Sequence, residues 1–260
     1  GITRRETNSH LYPQTFPLDL REFTRLEQFV RAANPLVIFH AAAIAGHETA
    51  ASDPDQAFDV NVTATRVLAN AASDIGALMI YISTDALFSG QRGNYREDDE
   101  LEPFSVYGET KALGEEAVRA TTANHLIVRT NFFGWSPSGD QSILEFFTRE
   151  LSEGRRVSGY VNYVVTSLFV EDVIDCIERI VEAEEHGVFH VVARDGVAKA
   201  DFGRLVAAEF DLDAGLIDDV RVDGLDRDLS LRSDRLMHLT GTAMPSQAEG
   251  IVRARERGSF

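Results

Sequence analysis

Residues 77–84, ALMIYIST, form an almost wholly apolar run that closes on two hydroxyl side chains, Ser83 and Thr84. A short apolar run of this kind is what a strand buried on both faces of a parallel sheet looks like. Upstream, residues 36–43 (LVIFHAAA) repeat the pattern. Between the two runs, Asp53 and Pro54 read as an N-cap followed by proline at the first helical position. They open a helix whose apolar residues Ala57, Val60, Ala64, Val67, Leu68 and Ala71 recur at helical spacing until Gly76 ends it. Downstream, residues 106–120 read as a helix and 125–130 (HLIVRT) as a further strand. Near the start, Leu20, Phe23, Leu26, Phe29 and Val30 have helical spacing up to Pro35. Strands alternating with helices predict βαβ units, a parallel sheet and right-handed crossovers: an α/β chain of the Rossmann-type, doubly wound class.

Beyond Asn131 the rhythm loosens, with a Gly/Ser/Pro loop, helices near 142–153 and 171–184, and a strand at 188–194. The expected organisation is a dinucleotide-binding domain over residues 1–135, with parts of 160–195. Residues 136–260 are expected to form mainly a smaller substrate-binding lobe.

Composition narrows the function. A net charge of −17 argues against nucleic acid as a partner, because that binding rests on Lys and Arg neutralising phosphates. No apolar run is long enough to span a bilayer, so no membrane partner is expected. Cys176 is the only cysteine, which excludes an internal disulfide and a CxxC motif. With no secretory signal in view, this places the expectation in the cytoplasm. Lys111 and Lys199 are the only lysines among the 25 basic residues. Scarce lysine fits a GC-rich genome, and together with the carboxylate excess it fits a surface adapted to high salt.

The chemistry centres on Tyr107-Gly-Glu-Thr-Lys111. Tyrosine and lysine four apart on a helix stand on one face, one turn from each other. An ammonium beside a phenol favours phenolate and brings the tyrosine pKa toward the working pH, where a general acid or base is most effective. Thr84 ends an apolar strand, and functional groups in open α/β sheets gather at the carboxyl ends of strands.

With these residues in order, the chain resembles the extended short-chain dehydrogenases/reductases, and within them the dTDP-4-dehydrorhamnose reductase group. The resemblance runs from about residue 18 to 180. It rests on Ala41-Ala42-Ala43, Asn61, Ser83-Thr84-Asp85 with Phe88 and Gly90, Tyr95 and Glu97 before Pro103, Tyr107-Gly108 through Lys111, Gly114-Glu115, Arg129-Thr130 and Thr166-Ser167. It implies NAD(P)-dependent reduction of a 4-keto deoxysugar nucleotide. Tyr107 would donate the proton, Lys111 would tune Tyr107 and hold the nicotinamide ribose, and Thr84 would bond the keto oxygen. The implied contacts to NADP or NAD are Arg4, Arg5, Asp19, Leu20, Ala41, Ala42, Ala43, Ser83, Tyr107, Lys111 and Thr130. Arg4 and Arg5 would favour the 2′-phosphate of NADP, and Asp19 serves equally well as a helix N-cap. Toward the nucleotide-sugar substrate the resemblance implies Thr84, Asp85, Ala86, Asn131, Phe132 and Thr166, and it is compatible with a homodimer.

The chain also departs from the pattern. The glycine-rich turn that grips the cofactor pyrophosphate would lie before Gly1, so the expectation is a truncated stretch of a complete enzyme, lacking the first strand and helix, rather than a natural remnant. Ile44-Ala45 stands where the family usually has an aromatic-threonine pair, and Ala86 where an aromatic is common, so the sugar pocket is altered. Phe132, Phe133 and Trp135 suit either a ligand platform or a lid and core. His40, His47 and Glu48 cluster without a complementary ligand set, which favours a structural role over a metal. The alternatives to a reductase are an epimerase or dehydratase of the same superfamily and a non-catalytic regulatory subunit that keeps the fold.

Overall fold

The computed structural model describes residues 1–3, 15–221, 223, 224 and 226–258. Arg4 and Arg5 lie outside the described residues. The chain divides into two compact units, residues 1–83 with 103–127 and residues 84–102 with 128–260.

The first unit carries β1 (Ile2–Thr3), β2 (Phe16–Pro17), α1 (Phe23–Ala33), β3 (Val37–His40), α2 (His47–Ser52), α3 (Pro54–Phe58), α4 (Ala64–Ile75), nearly all of β4 (Leu78–Thr84), α5 (Val106–Thr121) and the start of β5 (His125–Thr130). Helix α1 stops where Asn34 turns left-handed at φ 42° and returns its N–H to Val30, one residue before the proline that could not continue it. β3 and β4 run parallel, Val37 opposite Leu78 and His40 opposite Tyr81. Met79 N–H bonds Asn124 O at 3.0 Å, which sets β4 beside the entry to β5. Helix α4 packs against both α1 and α5.

Two expectations need correction. The stretch after residue 43, expected as a polar loop before the helix opened by Asp53 and Pro54, contains α2, a helix too short to show a period. And β3, read as buried on both faces, alternates: His40 is buried, whereas Val37 and Phe39 are exposed. The described elements cover only one of its faces. Between α3 and α4, residues 59–63 adopt a π-helical turn, so residues 54–75 form one helical run with a wide turn in the middle. Such turns are common at functional sites.

The second unit continues with β6 (Phe132–Phe133), α6 (Ile143–Ser152), β7 (Val157–Tyr160), β8 (Tyr163–Val165), β9 (Leu168–Phe169), α7 (Val170–Glu182), β10 (Gly187–His190), β11 (Val197–Ala198), α8 (Lys199–Glu209), β12 (Ile217–Val220), β13 (Arg227–Asp228), α9 (Asp234–Thr240) and α10 (Gln247–Arg257). The exit of β10 bonds the second half of β5 through Val191 N–H to Arg129 O. β6 pairs in parallel with β9, β7 with β12 and β8 with β13, while β11 runs antiparallel to β8. Phe133, Leu144, Phe147, Phe169, Phe202 and Ile251 form its core. Close packing decides Gly203, where a Cβ would stand 2.5 Å from the Phe147 ring. No described helix is long and apolar enough to cross a membrane.

Candidate active site

Helix α5 presents the tyrosine and lysine. Ser105 caps it by accepting from Gly108 N–H at 3.2 Å. One turn beyond Tyr107, Lys111 is only 2% exposed; its Nζ donates to Ile82 O at 2.7 Å and sits 3.8 Å over the Tyr81 ring. Burial lowers its pKa to about 7, opposed by the neighbouring Glu115 carboxylate. The ammonium is therefore anchored at the sheet and near its titration point at neutral pH. The Tyr107 ring meets His47 edge-on at 6.0 Å, and His47 Nδ1 lies 2.9 Å from Ser105 Oγ.

Asn61, in the wide helical turn, ties this helix to the loop after β3. Its side chain accepts from Ile44 N–H at 2.8 Å and donates to Ile44 O at 3.1 Å and to Thr110 Oγ1 at 3.0 Å. Thr110 Oγ1 in turn donates to Tyr107 O at 3.0 Å. His40 is buried against Thr65 Oγ1 at 3.0 Å, and burial, reinforced by Lys111, lowers its pKa to about 3. It is a neutral packing residue.

A cleft of about 390 Å³ opens in the first unit, lined by Leu18, Asp19, Leu20, Ala42 and Ala43, with Arg21, Thr49 and Gln56 at its polar side. Ala41 is exposed beside it but does not line it. Asp19 does not cap α1, whose N-cap is Glu22. Its carboxylate takes Arg21 Nη2 at 2.6 Å and Arg21 N–H at 2.9 Å. Ser83 Oγ and Thr130 Oγ1, buried at the ends of β4 and β5, have no hydrogen-bond partner among the described residues. Small alanines that admit close backbone approach and a cleft of ligand size in the first unit fit a dinucleotide.

In the second unit, Thr84 Oγ1 lies 3.1 Å from Asp85 Oδ1 and accepts from Ala86 N–H at 3.2 Å. Asn131 Nδ2 donates to Asp85 Oδ2 at 2.8 Å, and Ser167 Oγ donates to Asn131 Oδ1 at 2.6 Å. Asp85 is buried, and that burial raises its pKa against the pull of Asn131, Thr84 and Lys199. Thr166 is buried with Oγ1 accepting from Leu231 N–H at 3.2 Å, and Ala86 is buried, whereas Phe132 is half exposed. Of the other aromatics, Phe133 belongs to the core, and Trp135 is pinned by its indole N–H to Ala254 O at 2.7 Å.

Sequence reasoning thus names part of the cleft (Asp19, Leu20, Ala42 and Ala43), the α5 pair and the Thr84–Asp85–Asn131 cluster. It gives no role to Asn61, Arg21 or Lys199, and only a structural one to His47. The contacts of Asn61, His47 and Lys199 join segments distant in the chain, which no spacing rule reports, whereas Arg21 bonds Asp19 only two residues away. Among the described residues no group of His, Cys, Asp and Glu could hold a metal.

The family model described as the RmlD substrate binding domain matches residues 3–235. A Haloferax volcanii protein named probable low-salt glycan biosynthesis reductase is 30% identical over 215 residues, which cover 81% of this chain and 71% of that relative. The dTDP-4-dehydrorhamnose reductase of Escherichia coli is 31% identical over 187 residues, 69% of this chain and 62% of its own length, so the chain spans less than two thirds of that relative. The crystal structure of dTDP-4-dehydrorhamnose reductase from Bacillus anthracis in complex with NADP superposes with a TM-score of 0.85 at 23% identity. The match covers 94% of this chain and 90% of that one, and it shows a shared fold.

Proposed function

Because the chain belongs to the RmlD substrate-binding domain family, we propose that it serves an NAD(P)-dependent reductase acting on the 4-keto group of a deoxysugar nucleotide. The observation that carries this reading is the α5 pair, with Lys111 buried and anchored one turn beyond Tyr107. The relatives' reductase names, the cleft and the orphaned hydroxyls of Ser83 and Thr130 support it.

Asp19, Leu20, Ala42, Ala43, Ser83 and Thr130 would hold the dinucleotide, with Lys111 at its ribose. When bound, the dinucleotide supplies the hydride. Tyr107 protonates the oxygen that becomes the alkoxide, and Lys111 lowers the cost of the phenolate left behind. Thr84 donates a hydrogen bond to the same oxygen, where negative charge develops, so it stabilises the transition state more than the ketone. Asn131 and Thr166 would face the sugar nucleotide, and Phe132 offers an exposed ring to it.

The test supplies NADPH or NADH and a panel of 4-keto sugar nucleotides to the full-length protein and follows the absorbance of the reduced nicotinamide. Stoichiometric oxidation that disappears in Tyr107→Phe supports the reductase. Turnover without net oxidation replaces it with an epimerase, and absence of turnover with every sugar overturns it in favour of a binding subunit.

A further inference from the structure

Asp85 is a carboxyl that the proposed chemistry leaves without a task, and its surroundings order it in one direction. Ser167 donates to the Asn131 carbonyl, which fixes the Asn131 amide with its NH₂ toward Asp85. Asp85 Oδ2 is thereby held as an acceptor. A proton on this carboxyl is best placed on Oδ1, the oxygen that takes no bond from Asn131, and Oδ1 faces Thr84 Oγ1 at 3.1 Å. Thr84 Oγ1 already accepts from Ala86 N–H.

With Oδ1 bare, Thr84 spends its only proton on Asp85 and has none for a substrate. With Oδ1 protonated, Thr84 accepts from both Ala86 N–H and Asp85, and its own proton is released to a third partner. From this geometry we infer that Asp85 works as a neutral acid, ending a one-way donor chain from Ser167 through Asn131 and Asp85 that turns Thr84 into a hydrogen-bond donor. Asp85 is thus a positioning residue that acts through Thr84, and the inference rests on Thr84 meeting the ketone oxygen.

The other ionisable groups facing Asp85 are Lys199, at the start of α8, and Tyr163, on β8, each within electrostatic reach. Lys199 Nζ lies 4.1 Å over the Tyr163 ring, and Arg227 on β13 acts on Tyr163 in turn. The Lys199 ammonium opposes a neutral Asp85, but burial also lowers the pKa of Lys199, so both members of the pair are drawn toward their uncharged forms.

Asparagine separates this role from a charged one, because an amide at position 85 keeps an acceptor for Asn131 and a donor for Thr84 at every pH. Asp85→Ala is expected to lower kcat by roughly 10²-fold, the scale of losing one donor to an oxyanion. Asp85→Asn is expected to restore most of that loss, and to remove the fall in kcat that wild type shows as rising pH ionises Asp85. If Asn is as inactive as Ala while both variants melt like wild type, Asp85 acts as an anion and the inference is overturned.

Carbon-13 NMR of carboxyl-labelled wild-type protein, with Asp85→Asn to assign the signal, decides the same point without turnover. A carboxyl still protonated above the ordinary aspartate range is expected, and one ionised in that range overturns the donor chain. A protein inactive on every ketone but with a protonated Asp85 would sink the reductase reading and leave the donor chain standing.

Discussion

Replacing Asn61 with alanine tests the link between the loop after β3 and the helix bearing Tyr107. The side chain is 1% exposed and makes three hydrogen bonds, two to the Ile44 backbone and one to Thr110 Oγ1, at 2.8, 3.1 and 3.0 Å. Each partner left unpaired away from water costs ~1–3 kcal/mol. Ile44 is half-buried and water can reach part of what is lost there, so the sum comes to about 3–4 kcal/mol. At ~2–4 °C per kcal/mol for a chain near this size, the melting temperature falls by roughly 6–16 °C. The same change frees the Ala42–Ala45 side of the cleft, and a loss of order 1.4 kcal/mol there weakens dinucleotide binding about tenfold. Thermal melts followed by circular dichroism and NADPH titration by fluorescence measure both effects. A melting temperature for Asn61→Ala within ~2 °C of wild type, below the effect of losing even one such bond, would refute the reasoning.

Two further outcomes follow from particular contacts and a third from the net charge. A Cβ at position 114 would stand 2.2 Å from Tyr81 Oη and 2.7 Å from the Asn61 carbonyl, so Gly114→Ala is expected to cost about 1–3 kcal/mol by overpacking, read from a denaturant midpoint. Lys111→Met is expected to lower kcat by about 10²-fold or more while leaving the melting temperature at pH 7 equal to or above that of wild type, since a buried ammonium costs stability. The sign with pH is set by the lowered pKa. The unfolded chain binds a proton at Lys111 that the folded one gives up above about 7, so wild-type stability rises from there toward the ordinary lysine value and the variant lacks that rise. At a net charge of −17, the melting temperature is expected to climb as KCl screens self-repulsion, and a flat response up to molar salt would contradict a surface adapted to high salt.

The alternation of strand and helix through residue 130 was legible because long apolar runs and 3.6-residue periods carry their own signal: β5 spans residues 125–130 as read, and α5 closes one residue beyond its expected end. The second unit was harder to read, because β8, β9, β11 and β13 are two or three residues long, shorter than any window that shows a period. Local motifs named Thr84, Tyr107 and Lys111, whereas the contacts that give Asn61 and Asp85 their tasks join residues 17 and 46 positions apart. Exposure of Phe39 was invisible for a related reason. An apolar strand announces its own character and not which neighbours cover it.

The most direct test of the proposed chemistry follows the hydride itself. The full-length protein is given NADPH carrying deuterium at the transferable nicotinamide position together with a 4-keto deoxysugar nucleotide, and the product sugar is weighed by mass spectrometry. A reductase built on Tyr107 and Lys111 places one deuterium on the sugar's C4 in every turnover, and that label vanishes with the activity in Tyr107→Phe. Product formed without deuterium at C4, or labelled equally well by the Tyr107→Phe protein, would contradict it.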